Sequence, residues 1–131
     1  MTRSADDGFS LRDTYVHLAT DGTGVAVENT PDFWPALMSG QRRYDGRLVI
    51  ASRLTEDMTH WEMHPVGEEL LILLSGAVDC VLEKGGEERV VSLEAGQACL
   101  VPRGAWHRLR VREPGELVFV TYGEGTEHRP L

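Results

Sequence analysis

The sequence predicts an all-β fold, and three observations support this prediction. From residue 40 onward, short windows of apolar or alternating character recur at the spacing typical of antiparallel β domains. Turn-forming residues separate the windows, and the Lys-Gly-Gly-Glu of residues 84–87 and the Glu-Pro-Gly-Glu of residues 113–116 each predict a hairpin. Segments with helical periodicity are nearly absent. We therefore expect very little helix.

The predicted strands follow one another in order along the chain. Residues 13–19 alternate well enough to form a first strand. The strand windows after residue 40 are 47–53, 58–63, 70–74, 77–82, 89–93, 97–101, 107–111 and 117–122.

One segment departs from the strand pattern. Residues 28–40 contain two prolines and a helical stretch at 34–38, which indicates a short helical segment covering the sheets from outside. Its Phe33, Trp34 and Leu37 would be costly to leave in water. They either close one mouth of a barrel or contact another subunit, and the sequence leaves both alternatives open.

Length and charge limit the classes of function. A chain of 131 residues is long enough for one sizeable core and too short for two ordinary domains, so we expect a flexible N-terminus at 1–12 and a single domain at 13–131. A net charge of -8 argues against nucleic acid or anionic membrane as partners. The sequence has no long apolar run and no signal-peptide pattern, which predicts a cytoplasmic protein with Cys80 and Cys99 as buried free thiols.

A first histidine-bearing segment lies at residues 60–64. His60, Glu62 and His64 occupy every second position, so an extended strand projects all three from one face and Trp61 from the other. Imidazole nitrogens and carboxylate oxygens are common ligands of divalent metal ions. Taken alone, the segment is equally consistent with a solvated sheet edge.

A second set of chemically active residues follows. Glu69 precedes an apolar run that ends at Gly76, which indicates a buried strand followed by a tight turn. Further on, Pro102 and Gly104 are residues typical of a turn, and this turn places His107 at the start of a new strand. The two segments together suggest a metal site.

These segments resemble the two motifs of the cupin superfamily, usually written G-x5-H-x-H-x(3,4)-E-x6-G and G-x5-P-x-G-x2-H-x3-N. The positions that match are His64, Glu69, Gly76, Gly96, Pro102, Gly104 and His107. The positions that depart are Glu56 for the opening glycine, Glu62 for the first histidine and Val111 for the asparagine. Together with the strand spacing, the resemblance implies a two-sheet jelly-roll barrel (a double-stranded β-helix).

The resemblance further implies that one divalent metal ion binds inside the barrel. The ligands it implies are Glu62, His64, Glu69 and His107. A carboxylate in place of an imidazole makes the ligand set harder, which favours Fe, Mn or Zn, with Ni possible. His60 is interpreted as a residue at the rim that could replace Glu62 if the strand slips. A degenerate barrel without metal, held by hydrogen bonds among the same residues, is the alternative.

The function that the resemblance implies is a metal-dependent enzyme acting on a small oxygenated molecule, of dioxygenase, isomerase or lyase type. The alternative is a non-catalytic module that binds or senses a small ligand. Because related proteins commonly pair, we expect a symmetric homodimer. The C-terminal tail is rich in turn formers, and His128 is interpreted as mobile, with folding over a barrel mouth as the alternative.

Overall fold

A computed structural model describes residues 8–131, and its regular structure is almost entirely β-strand, which confirms the predicted all-β fold. One short helix, α1 (Phe33–Met38), covers the strands from outside. The strands are β1 (Thr14–Leu18), β2 (Gly24–Glu28), β3 (Arg47–Leu54), β4 (His60–Met63), β5 (Glu69–Leu73), β6 (Ala77–Lys84), β7 (Glu87–Glu94), β8 (Ala98–Val101), β9 (His107–Glu113), β10 (Gly115–Thr121) and β11 (Glu127–Pro130).

The strands form two antiparallel sheets, as a jelly-roll barrel requires. One sheet has the order β2-β1-β3-β10-β5-β8 and the other the order β11-β4-β9-β6-β7. The main core lies between them, where Leu71 and Leu117 of the first sheet pack with Val78 and Leu109 of the second. All four are at most 2% exposed. Burial of these apolar side chains is the main stabilising contribution to the barrel.

Of the two predicted hairpins, the one at residues 84–87 is confirmed. The one at residues 113–116 is wrong, because that turn joins β9 to β10, which lie in different sheets. The last registered pair of β6 and β7 is Lys84 with Glu87, so only Gly85 and Gly86 form the turn. Both have positive φ, 61° and 82°. A two-residue turn of this kind needs positive φ at both positions, which glycine adopts without steric cost.

The segment around α1 packs on the protein's own barrel, against strands of the first sheet. Phe33 is fully buried and belongs to a second apolar cluster with Tyr15, Leu48 and Ile50. Its ring lies edge-on to that of Tyr15, with centroids 5.1 Å apart. Phe33 and Leu37 therefore pack on the protein's own barrel, whereas Trp34 is 42% exposed, so contact of this segment with another subunit stays a prediction.

The interpretation of His128 as a mobile terminal residue was wrong. Residues 127–130 form β11, which pairs along its whole length with β4. An ion pair of 2.6 Å between Arg129 and Glu83 also holds the strand. Four residues are too few to show a strand period in the sequence, and this pairing joins positions more than sixty residues apart.

At the other end of the chain, part of the predicted flexible stretch 1–12 lies outside the described residues, which begin at residue 8. Residues 10–14 form a turn in which the carbonyl oxygen of Ser10 accepts from the amides of Asp13 and Thr14. No helix among residues 8–131 is long and apolar enough to cross a lipid bilayer.

Candidate metal centre

Four side chains with metal-ligating atoms come together at one mouth of the barrel, and they are the four that the sequence singled out. Glu62 is in β4 and His64 follows that strand, whereas Glu69 begins β5 and His107 begins β9. Their ligating atoms all lie within 4.8 Å of one another, so the group could hold a metal ion. His64, Glu69 and His107 are nearly inaccessible to solvent, with exposures of 4%, 3% and 2%.

Strand geometry explains this convergence. Glu62 and His107 are registered partners in neighbouring strands, so their side chains share a face of the sheet. His64 lies two residues after Glu62 and lines the same cavity. Glu69 comes from the opposite sheet, because β5 belongs to the other layer. The centre therefore joins the two sheets across the barrel mouth.

Trp61 points to the opposite face of β4, as the alternation predicted. It is 8% exposed. The guanidinium carbons of Arg108 and Arg129 lie 5.1 and 5.2 Å from its ring centroid. Cation–π contacts on this outer face help to fix β4 between β9 and β11.

The two carboxylates contact the two imidazoles directly. The Nε2 atom of His64 is 3.0 Å from Oε1 of Glu62 and 3.3 Å from Oε2 of Glu69. The Nε2 atom of His107 is 3.0 Å from Oε1 of Glu69. Glu69 thus contacts both histidines, and Thr121 donates a hydrogen bond of 2.5 Å to its Oε2 atom.

Hydrogen bonds on the far side of each ring set its orientation. The hydroxyl of Thr126 donates to the carbonyl oxygen of Gly123, so it must accept at 2.8 Å from the Nδ1–H group of His64. Nδ1 of His107 donates to the carbonyl oxygen of Ala105 at 3.2 Å. In the neutral form, each ring therefore carries its lone pair on Nε2, the atom that faces the centre.

The charges of the site favour a cation at its middle. Burial alone lowers the pKa of His64, but hydrogen bonds and charges from Glu62 and Glu69 outweigh this and raise it to about 9. Burial raises the pKa of Glu69, but hydrogen bonds from His107 and His64 lower it to about 2. Without a metal, a proton on His64 therefore supplies positive charge between two carboxylates. A metal ion competes with that proton.

These residues fit a divalent ion. Nε2 of His64 is buried, and its polar contacts are with carboxylate oxygens 3.0 and 3.3 Å away. Two imidazole nitrogens with two carboxylates suit first-row divalent ions such as Fe, Mn, Zn and Ni. The thiols of Cys80 and Cys99 are free, as predicted, and lie outside the cluster; Cys80 is buried, whereas the prediction that Cys99 is buried was wrong, since it is only partly buried.

His60 lies at the rim, as interpreted from the sequence, and belongs to a separate group with Glu62 and His128. The sequence reasoning missed three side chains that contact the cluster: Thr121, Thr126 and His128. All three come from the C-terminal part of the chain, which carries no motif. Only the alternative interpretation of His128, as folding over a barrel mouth, indicated that this part takes part.

The cluster forms the polar floor of a large cavity. The cavity has a volume of about 830 Å³. Its walls are mostly apolar and aromatic, with Tyr15, Trp34 and Phe119 among them, and Arg42 and Arg43 also line it. Apolar walls around a few converging polar groups are typical of small-molecule sites.

Comparison with known proteins gives one family match and several structural ones. Residues 55–123, more than half of the chain, match the family model described as Cupin domain. No match is found among curated proteins.

Three solved structures illustrate the structural likeness. A protein from Neisseria meningitidis is 20% identical with a TM-score of 0.51, over 62% of this chain and 79% of that chain. A cupin-2 domain containing protein from Shewanella frigidimarina is 15% identical with a TM-score of 0.51, over 62% and 74%. A variant of oxalate decarboxylase from Bacillus subtilis is 18% identical with a TM-score of 0.54, over 66% of this chain and only 24% of that chain. At such identities the likeness shows the fold alone.

Proposed function

Because this chain belongs to the cupin family, we propose that it is a metal-dependent enzyme that acts on a small oxygenated molecule by dioxygenase, isomerase or lyase chemistry. The residues proposed to hold its catalytic divalent ion are Glu62, His64, Glu69 and His107. One observation carries the proposal: two buried imidazoles direct Nε2 toward two carboxylates at the floor of a cavity.

The cavity supports a small-molecule substrate. About 830 Å³ lies within the range of about 300–1,000 Å³ that is usual for ligand pockets. Phe119 and Trp34 offer flat apolar surface to a substrate, while the floor offers oxygen and nitrogen atoms. A molecule with an apolar body and polar oxygens at one end matches this distribution.

The roles of the two carboxylates differ. Glu69 is 3% exposed and is held by both histidines and by Thr121, so it suits a fixed ligand. The Glu62 side chain is 25% exposed at the cavity floor. Although burial raises the pKa of Glu62, its hydrogen bond with His64 contributes to a net lowering, which keeps it ionised at neutral pH. Glu62 is therefore the more accessible of the two carboxylate ligands and the one nearer to a bound substrate.

The metal ion, when bound, would supply Lewis-acid or redox chemistry toward a substrate oxygen. The protein would orient the substrate and exclude water. The apolar wall, to which Trp34 and Leu37 of α1 contribute, would hold the apolar body of a substrate over the floor.

The experiment that tests the proposal loads metal-free protein anaerobically with Fe(II), Mn(II), Zn(II) or Ni(II). The protein is then offered a panel of diketones, phenols, thiols and small keto and hydroxy acids. Oxygen consumption and substrate NMR measure turnover. The matched variants are His107→Ala and His17→Ala, since His17 pairs with Asp45 and does not line the cavity.

We expect turnover in the wild type and in His17→Ala, and none in His107→Ala. The His107→Ala protein should bind one metal ion per chain fewer than the wild type. Wild-type metal content in His107→Ala would contradict the assignment of the ligands. Binding of panel compounds without turnover under any metal would instead support the non-catalytic binding module. The single domain at 13–131 and the homodimer stay predictions.

A further inference from the structure

A second group of potential metal ligands lies at the rim of the same mouth. His60, Glu62 and His128 each offer a ligating atom within 4.8 Å of the others. The Nε2 atom of His128 is 3.4 Å from Oε2 of Glu62. The rings of His60 and His128 are in edge contact, with centroids 4.8 Å apart. We call these three residues the rim cluster.

The register of three strands builds the rim cluster. Glu62 in β4 is the registered partner of His107 in β9 on one side and of His128 in β11 on the other. Registered side chains share a face of the sheet, so Glu62 is the middle residue of a His-Glu-His row. His60 lies two residues before Glu62, on the same face.

The carboxylate of Glu62 divides its two oxygens between the two groups. Oε1 faces His64 of the centre, at 3.0 Å. Oε2 faces His128 of the rim cluster, at 3.4 Å. A carboxylate with one oxygen on each side has the arrangement of a bridging ligand between two cations.

We propose that the rim cluster binds a second divalent cation, bridged by Glu62 to the ion at the floor of the cavity. The inference rests on the proposed function for the first ion. Two imidazoles and one carboxylate oxygen suit a borderline divalent ion such as Zn(II) or Mn(II). The side chains of His128 and Glu62 are 29% and 25% exposed, which leaves room for water or a substrate oxygen to complete the coordination.

Ordinary ion pairing explains the rim cluster less well than a cation does. Elsewhere in this chain, His17 has a carboxylate partner of its own, Asp45. At the rim, two imidazoles share the single carboxylate of Glu62: Nε2 of His128 is 3.4 Å from Oε2, and the ligating atoms of all three residues lie within 4.8 Å of one another. Nδ1 of His60 is 3.4 Å from the Thr59 hydroxyl. Four of the five histidines of the chain thus meet at one mouth of the barrel.

The test measures metal stoichiometry rather than activity. Full-length protein is stripped with a chelator and saturated with Mn(II) or Zn(II). Bound metal per chain is then determined by equilibrium dialysis and elemental analysis. The variants are His60→Ala, His128→Ala and His128→Asn, with His107→Ala as the floor variant and His17→Ala as the matched control. Circular dichroism verifies the fold of each.

We expect two equivalents of metal in the wild type and in His17→Ala, and one in each rim variant and in His107→Ala. Two Mn(II) ions about 3.5–4 Å apart should also give an exchange-coupled EPR spectrum in the wild type. That spectrum should become mononuclear in His128→Asn.

One equivalent in the wild type, lost in His107→Ala and unchanged in His60→Ala and His128→Ala, would overturn the second site while leaving the catalytic ion in place. Two equivalents retained in both His128 variants would also overturn it. Two coupled ions without turnover on any substrate would support the second site and count only against the proposed activity.

Discussion

Replacement of Thr126 by valine should weaken metal binding at the floor of the cavity, although Thr126 is not itself a proposed ligand. Its hydroxyl accepts from Nδ1–H of His64 at 2.8 Å and donates to the carbonyl oxygen of Gly123. Valine has nearly the same shape but cannot accept a hydrogen bond. The His64 ring then loses the contact that fixes its proton on Nδ1 and its lone pair on Nε2.

The magnitude follows from the burial of His64. A typical hydrogen bond contributes about 0.5–1.5 kcal/mol to stability, whereas leaving a buried donor without a partner costs about 1–3 kcal/mol. His64 is 4% exposed, so the larger cost applies. We expect an affinity about 10–100-fold lower, which is about 1.4–2.8 kcal/mol.

Calorimetric titration of metal-free protein with Zn(II) measures this effect. Both proteins should also carry His128→Ala, so that the rim cluster does not contribute to the titration. Thr126→Ser keeps the hydroxyl and should restore most of the affinity. An affinity of Thr126→Val within twofold of its parent would refute the reasoning that this hydroxyl orients His64.

Two further predictions concern stability. The pKa of Glu69 is lowered from 4.5 to about 2, so its contribution is complete above pH 4.5 and is lost as the pH falls through 2. The pKa of His64 is raised from 6.5 to about 9, so its contribution is complete below pH 6.5 and is lost as the pH rises through 9. In urea unfolding of metal-free protein, the free energy of unfolding should therefore be highest between pH 4.5 and 6.5 and should fall by about 3 kcal/mol toward alkaline pH. A free energy of unfolding that rises from pH 7 to 9 would contradict this prediction. The second prediction compares Gly76→Ala with Gly86→Ala, which share a φ of 82° but differ in space: a Cβ at Gly76 would lie 2.6 Å from two backbone carbonyl oxygens, and at Gly86 nothing lies within 4 Å. Gly86→Ala should cost about 1–2 kcal/mol and Gly76→Ala clearly more, and equal losses would show that the carbonyls move aside.

The four residues at the floor of the site could be named from the sequence because the spacing of two segments resembles a family pattern, whereas the local pattern alone left a solvated sheet edge equally open. Glu62 lies in β4 and His64 directly follows it, and their spacing of two residues predicts that both face the same side. Gly76, Gly96 and Gly104 all have positive φ, so their spacing in the sequence marks the turns that begin and end the strands of the site. Turn chemistry and strand period act over a few residues and are visible in a single chain.

The rest of the site could not be predicted, because long-range pairing builds it. Thr126 and His128 have no periodic neighbours, and their positions depend on the pairing of β11 with β4. Composition was the one sequence signal for this part of the site: the chain has five histidines, and one of them lies in the C-terminal tail, outside any apolar or alternating window. A tail histidine near an expected metal site was therefore better evidence for an ordered strand than turn-forming residues were for mobility.

The tail and the ligand strand depend on each other through this pairing. β4 has only four residues and a single registered pair with β9, whereas all four of its residues pair with β11. β11 in turn supplies His128, and the turn before it supplies Thr126, which bonds His64. A change that frees β11 would therefore loosen β4 and remove the hydrogen bond that orients one proposed ligand. Because the same strand also carries the second imidazole of the rim cluster, the order of the C-terminal segment links the geometry of both proposed ion sites.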